Sequence, residues 1–308
     1  MRLAVTALGL LLTVGTGAAF ANSNSAIYIE DQKLSLNPQL RMADGVTYAP
    51  VKELADRMGW QLAYDGGSGR IAVSNGLGDK LAFRTGESVV TYNGKAYDIP
   101  QAVTVRDGNA YFPLRTLAEA MHASVGWQDQ GKTLAIKTEE PYVVRSGDTL
   151  ASIAEASGTT AKALMIRNGL ADGSLQAGQS LKVVVPDFLD PETADAALLA
   201  KIVEIEAGNE PYEGKLAIAN VVLNRVKSGR FPDTVRGVIY APGQFPPAGN
   251  GLLKTETASG DSLRAALAAL SGENNVPGAL YFFNPKLEPD KAKKTKVVKK
   301  IGHHMFVK

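Results

Sequence analysis

The spacing of apolar residues changes character several times along the chain. An unbroken apolar run from Leu3 to about Val14 follows Arg2 and gives way to small residues ending in Ala19-Phe20-Ala21. That run is short for a membrane span, which needs about 20 apolar residues, and its flanks predict a secretory signal peptide cleaved after Ala21. Short alternating stretches then predict strands up to about residue 139, interrupted by two helical patterns that each start near a proline. Between Tyr142 and Pro186, "YVV", "ASIAEA", "TTAKALMIRNGL" and "SLKVVV" predict a strand, two helices and a strand, with Thr149 and Thr159 or Thr160 placed as helix caps. "PDFLDPETADAA", Pro186 to Ala197, reads as a linker running into a third, mostly helical segment.

The strand-rich segment is an internal repeat at a spacing of 63 residues. Asp44 to Ser74 aligns without gaps on Asp107 to Lys137, matching Gly45 to Gly108, Tyr48 to Tyr111, Pro50 to Pro113, Leu54 to Leu117 and Met58 to Met121. Each copy predicts a turn at Asp-Gly, a strand, a helix started near Pro, and a hairpin at "DGGSG" or "QDQGK". Each is preceded by a further hairpin, "IYIEDQKLSL" or "VVTYNGKAYDI", the second with an Asn93-Gly94 turn. The fold class expected for the whole chain is therefore α+β and multidomain. A signal peptide (1–21) precedes a repeated α/β domain (22–139), a βααβ domain (140–186) and a small, mostly helical domain with a short antiparallel sheet (187–308).

Composition narrows the chemistry. The chain has no cysteine, which removes disulfide frameworks and thiol peptidases. A net charge of +2 gives no reason to expect nucleic acid as a partner. Seven lysines between Lys286 and Lys300 form either a solvated face or an attraction to an anionic wall polymer. The 22–139 segment holds one histidine, His122, and the last segment offers only the pair His303-His304, so no metal site and no cofactor are expected. A penicillin-binding type of acyl transferase is excluded because no Ser-x-x-Lys occurs.

The stretch "VEIEAGNEPYEGKLAIANVVLNRV", Val203 to Val226, carries the strongest chemical signal. Glu210 and Glu213 flank Pro211 at a helix start, where acids serve the macrodipole and the free amides. Glu206 falls at the end of the preceding apolar helix, where the dipole disfavours an anion, so either it is exposed or its proton matters. Arg225 complements a helix end or supports the site. Gln244, Tyr281 and Asn284 carry the amide and phenol groups that bind sugar hydroxyl and acetamido groups, although Tyr281-Phe282-Phe283 also reads as a buried strand.

Three resemblances follow from these residues. The repeat, in pattern and length, resembles the copper amine oxidase N-terminal-like stalk domain of bacterial surface proteins, with a structural or wall-contacting role implied. Tyr142 to Pro186 resembles a LysM domain, implying N-acetylglucosamine binding through the loops at Ser146, Gly147, Asp148 and Thr149 and at Asn168, Gly169 and Leu170. From Leu198 onward, Glu206-Ala207 with Glu210-Pro211, Asn224-Arg225, Phe231-Pro232, Gln244-Phe245, Gly278 to Phe282 and Ile301-Gly302 before His304 resemble the SleB-type cell-wall hydrolases of spore-cortex lysis. This chain has Gly208-Asn209 where that family commonly has Arg-Gly, and Val307 where it often has Tyr.

The last resemblance implies a secreted, monomeric enzyme of the cell wall or spore envelope. It would cut peptidoglycan glycan strands between N-acetylmuramic acid and N-acetylglucosamine as a lytic transglycosylase. Glu206 is the implied catalytic acid, with Arg225, Gln244, Tyr281, Asn284 and His304 as substrate-side residues, and the expected domain is lysozyme-like by analogy. Glu210 is expected to bind helix N-terminal amides. A muramidase using Glu210 or Glu213 as second carboxylate, and a non-catalytic wall-binding protein with a degenerate enzyme domain, remain as alternatives.

Overall fold

The structure is a computed structural model describing residues 26–43, 45–128 and 133–308. The expected signal peptide, Asp44 of the first Asp-Gly turn, and the tip of the last repeat hairpin lie outside the described residues. Among the described residues no helix is long and apolar enough to cross a membrane. The chain divides into two compact units: one takes the chain through Phe83 with Thr91–Lys95 and Thr104–Pro191, the other takes Arg84–Val90, Ala96–Val103 and Glu192–Lys308.

In the repeat, the first copy runs β1 (Ala26–Ile29), β2 (Gln32–Leu34), β3 (Arg41–Ala43), β4 (Val46–Pro50), α1 (Val51–Met58), β5 (Gln61–Asp65) and β6 (Arg70–Ser74). The second runs β7 (Lys80–Arg84), β8 (Val89–Tyr92), β9 (Lys95–Asp98), β10 (Thr104–Arg106), β11 (Asn109–Pro113), α2 (Leu114–Ala120), β12 (Ala123–Gln128) and β13 (Thr133–Thr138). The copies do not form separate sheets. β1 and β2 add to the second copy's last hairpin in the order β12-β13-β1-β2, with β1 parallel to β13, and β7 to β9 add to the first copy's in the order β5-β6-β7-β8-β9. The middle sheet, β10-β11-β4-β3, pairs the copies directly: Tyr111 faces Pro50, Phe112 faces Ala49 and Pro113 faces Tyr48. Because Tyr48 corresponds to Tyr111 and Pro50 to Pro113, this register is that of a two-fold axis passing between Ala49 and Phe112. Asn93 and Gly94 both have positive φ, as the tight β8–β9 turn requires.

The next segment folds as β14 (Tyr142–Val143), α3 (Leu150–Ala156), α4 (Ala161–Asn168) and β15 (Ser180–Leu181), the expected βααβ order. Thr149 caps α3 in a capping box with Ser152, and Thr160 caps α4. Inside the first unit this small domain is fixed to the repeat by a buried ion pair. Arg167, on α4, gives two hydrogen bonds to Asp79, at 2.6 and 2.8 Å, with both side chains fully buried. Lys182 adds a contact to Asp79 Oδ1 at 2.9 Å, and Tyr92 donates to the same oxygen at 3.0 Å. Burial alone would raise the proton affinity of Asp79, but Arg167 and Lys182 hold it far below the usual carboxylate range. The stretch expected as a linker is packed instead. Asp187–Leu189 forms a single 3-10 turn, and Phe188 is buried edge-on against Tyr92.

The second unit is built on two long helices, α5 (Pro191–Ala207) and α6 (Tyr212–Lys227), followed by α7 (Val235–Tyr240), α8 (Pro246–Gly249) and α9 (Gly260–Leu270). β16 (Tyr281–Phe283), α10 (Pro289–Lys294), β17 (Val297–Ile301) and β18 (His304–Val307) complete it, with an antiparallel sheet ordered β16-β18-β17. Apolar residues occur on every side of α6, and nearly all of it is buried, as expected of a central helix. Arg84–Val90 and Ala96–Val103 join this unit through polar contacts. The fully buried Lys201 of α5 donates to Ser88 O at 2.8 Å and to Asp98 at 3.2 Å, and Arg236 of α7 meets the other oxygen of Asp98 at 2.9 Å.

Replacing Asp79 by Ala leaves the buried Arg167 without its counter-ion. It should destabilise the first unit by about 3–5 kcal/mol, the usual effect of breaking a buried pair. The midpoint of urea unfolding, followed by Trp60 and Trp127, both in that unit, measures this; an unchanged midpoint would show that the pair contributes nothing.

Candidate functional site

The α5–α6 junction is the chemical centre of the second unit. Glu206 sits in the last turn of α5, half-buried, and burial raises its proton affinity while the charge of Arg225 opposes the rise. Arg225 itself is 4% exposed. Its Nε donates to Leu280 O at 2.8 Å, and its guanidinium lies 5.1, 5.0 and 5.7 Å from the ring centres of Phe231, Phe245 and Tyr281. Its Nη1 is buried without a hydrogen-bond partner. The cation is therefore packed among rings and influences the site through its charge.

The residues expected on the substrate side divide into three groups. Tyr281, the first residue of β16, is half-buried, packs edge-on against Phe231 and accepts from Arg230 at 3.4 Å. Gln244 is half-buried in the turn before α8, next to Phe245, so Arg225 gathers Tyr281 and the Gln244 turn around one charge. His304 begins β18 and stacks edge-on against Phe282, with Nδ1 3.6 Å from Glu210 Oε1. Asn284 is used by the turn after β16: its Oδ1 accepts from Lys286 N–H at 3.0 Å, and its carbonyl accepts from Leu287 and Glu288.

Glu210 departs from the expected role. Its carboxylate accepts from His303 N–H at 3.1 Å and lies 2.8 Å from His303 Nδ1, so it fastens the β17–β18 turn to the α5–α6 junction instead of serving its own helix. A loop amide 93 residues away offered better geometry than the first turn of α6, and no local pattern announces such a partner. Partial burial pushes the Glu210 carboxyl up, but the His303 hydrogen bonds and the two imidazoles bring it below the ordinary value. Gly302 makes the approach possible. Its φ is +54°, and a Cβ there would fall on Glu210 Oε2.

Asn224 was visible only as part of the Asn-Arg pair. Its Nδ2 donates to Val276 O and Ala279 O, both at 3.0 Å, and its Oδ1 accepts from Asn274 at 2.9 Å, pinning the loop that delivers Tyr281. In the βααβ domain, Asp148 accepts from Tyr142 Oη and Arg145 N–H, Thr149 caps α3, and both ends of the Asn168 amide bind backbone groups of Leu164 and Lys182. Gly169 ends α4 at φ +64° and Leu170 packs on the small core, while Ser146 and Gly147 are exposed. All seven lysines between Lys286 and Lys300 are exposed.

Known proteins resemble this chain segment by segment. Family models match as Copper amine oxidase N-terminal domain over residues 28–136, LysM domain over 142–184 and Cell Wall Hydrolase over 209–307. The last match begins three residues beyond Glu206. The "Spore cortex-lytic enzyme" of Bacillus cereus is 42% identical over 118 residues, covering 37% of this chain and 44% of that protein. "Cell wall hydrolase CwlJ" of Bacillus subtilis is 31% identical over 101 residues, covering 30% of this chain and 70% of that one. Among solved structures, the catalytic domain of the Bacillus cereus SleB protein is 40% identical, covering 37% of this chain and 89% of that chain, with a TM-score of 0.35. The chain thus spans less than half the length of the Bacillus cereus relative. It belongs to the cell wall hydrolase family.

A Gly302→Ala substitution should displace Glu210 and the β17–β18 turn, lowering stability by about 1–3 kcal/mol, as overpacking at a tight contact does. Calorimetry on the variant alone and combined with Glu210→Ala checks this. The double variant, with the obstruction gone, should lose less than the two single losses added.

Proposed function

We propose that this chain is an exported lytic transglycosylase of peptidoglycan that uses Glu206 as its single acid and base and is held on the wall by its LysM domain. The observation that carries the reading is the placement of Glu206: a half-buried carboxyl at a helix C-terminus, where burial pushes its proton affinity above the ordinary glutamate value. Such a group protonates the glycosidic oxygen between N-acetylmuramic acid and N-acetylglucosamine as that bond breaks. Now ionised, it accepts the proton of the muramoyl C6 hydroxyl, whose oxygen closes on the anomeric carbon to leave an anhydromuramoyl end. The proton account returns to its start and no water enters the product.

The state of Glu210 supports the one-carboxylate route. It is fastened to His303 and committed to the β17–β18 turn, and a retaining or inverting hydrolase needs a second carboxylate free to act as nucleophile or base. Tyr281, packed against Arg225, and Gln244, the neighbour of Phe245, are the proposed glycan contacts, and the lysozyme-like analogy is kept for the small, mostly helical domain. The solved Bacillus anthracis relative, 38% identical, is described as a germination-specific lytic transglycosylase, which also favours the reading. The exposed lysines of α10 and β17 suit a second, non-specific attraction to anionic wall polymers.

Glu206→Gln keeps the shape and removes the titrating proton, so turnover of purified peptidoglycan should fall by at least about 10²-fold with the thermal midpoint retained. Full activity in this variant would exclude Glu206 as the acid. In the unaltered protein the acid form is the active one, so the rate should decline as pH rises through a Glu206 pKa lying above the ordinary glutamate value.

Mass spectrometry of the released fragments distinguishes the two chemistries. Ring closure gives ends about 18 Da lighter than reducing ends, the mass of one water left out of an intramolecular displacement. Uptake of labelled oxygen from water into new ends would make the enzyme a muramidase.

A further inference from the structure

Two positions flanking Glu206 in the chain enter one polar cluster behind the site. Glu204 Oε2 accepts from Ser259 N–H at 3.0 Å, from the Ser259 hydroxyl at 2.5 Å and from the Ser262 hydroxyl at 2.6 Å. Lys215, on α6, donates to Gly208 O at 2.9 Å and to Ser262 Oγ at 3.1 Å, and its Nζ stands 3.7 Å from Glu204 Oε2. Ser262 is fully buried and the Lys215 side chain is 6% exposed, so these are charge-assisted bonds with little competing water. Gly208 O lies just past the end of α5, among the carbonyls that a helix leaves unpaired, and an ammonium there also suits the dipole.

The spacing is the informative feature. Glu204 precedes the acid by two residues and ties α5 to the start of α9, while Gly208 follows it by two and is tied to α6. Glu206 is thus the middle of a five-residue stretch held at both ends. Gly208 is packed against Glu204 with no room for a side chain: a Cβ at that position would lie 2.6 Å from Glu204 O and 3.0 Å from Glu204 Oε1. Partial burial pushes the Glu204 carboxyl up, yet the bonds from Ser259 and Ser262 and the charge of Lys215 bring it below the ordinary value, whereas burial moves Glu206 the other way.

We propose that Lys215, Glu204 and Ser262 are positioning residues for the catalytic glutamate, clamping the end of α5 on both sides of Glu206 so that its carboxyl stays in its half-buried place. The clamp rests on the reading of Glu206 as the acid. None of its members touches substrate. Its effect is to preserve both the aim and the dryness of a carboxyl carried on the last turn of a helix, where frayed backbone would otherwise admit water.

The test is the pH profile of the full chain acting on soluble peptidoglycan strands, for Lys215→Met, Lys215→Arg and Ser262→Ala beside the unaltered protein. Lys215→Met should lower kcat by about 10- to 100-fold, the usual effect of small misplacement, with KM changed by no more than about twofold. Water reaching Glu206 would lower its pKa, so the alkaline limb should move down by at least about half a pH unit. The other charged groups near the junction, Arg225 on α6, Tyr281 on β16 and the Glu210–His303–His304 group, are left intact by these variants. Lys215→Arg keeps the charge and donors and should hold the limb in place. A reduced amplitude with an unshifted limb, as partial misfolding alone would give, overturns the clamp. If Lys215→Met does not fold, Ser262→Ala serves in its place, with a smaller shift in the same direction expected and no shift refuting the proposal. An active Glu206→Gln removes the reading on which the clamp rests, whereas an inactive one beside an unshifted Lys215→Met profile refutes the clamp alone.

Discussion

Keeping water from one carboxyl is the constraint around which the second unit is arranged. Leu198, Leu199, Ile202 and Val203 of α5 and the buried stretch of α6 form the apolar core beside Glu206, and burial raises its proton affinity. A core so apolar is costly ground for the polar groups the site also needs. Lys201 answers to Asp98, Lys215 to Gly208 O and Ser262, Arg225 to Leu280 O, and Asn224 to three partners in the loop before β16. Lys215, Arg225 and Asn224 each reach from a helix to backbone carbonyls of a loop, and Lys201 reaches to the end of β9. The dryness around the acid and the order of the surrounding loops are one property seen from two sides.

Glu204, Glu206 and Glu210 show how environment divides labour among identical side chains. Glu204 receives hydroxyl and amide hydrogen bonds and its proton affinity falls; Glu210 receives an amide and an imidazole and its proton affinity falls; Glu206 meets burial, opposed only by the more distant charge of Arg225, and its proton affinity rises. Glu206 and Glu210 are four positions apart, yet their proton affinities move in opposite directions. That separation of acidities, rather than the presence of acids, is what marks a site.

Much of this was legible in the chain itself. The Asp107-Gly108 turn, the prolines before α1 and α2 and the threonines before α3 and α4 fix local structure by short-range chemistry, and their elements fall where their patterns predict. The position of Glu206 at a helix end was legible for the same reason. What the pattern could not reveal were long-range partners. Nothing around Glu210 points to His303, nothing around Lys201 points to Asp98, and the stretch around Phe188 has linker composition although its aromatic ring is buried. Nor does a 63-residue repeat disclose whether its copies pair internally or trade hairpins, because both arrangements satisfy the same alternation of apolar and polar residues.

The traded hairpins bear on the order in which the chain can acquire structure. β1 finds its neighbour in β13, Ala26 pairing with Thr133, so the first strand of the repeat must wait for the last before it has a sheet to join. A ribosome delivering the chain from its N-terminus releases β1 and β2 long before that partner exists. During synthesis the early hairpin is left as an unpaired edge, and a pair of strands alone is marginal in water. Contacts so distant in sequence also close slowly. The sheets β5 to β9 and β10-β11-β4-β3 need no residue beyond Pro113, whereas the one that holds the first strand closes only after residue 138 has emerged.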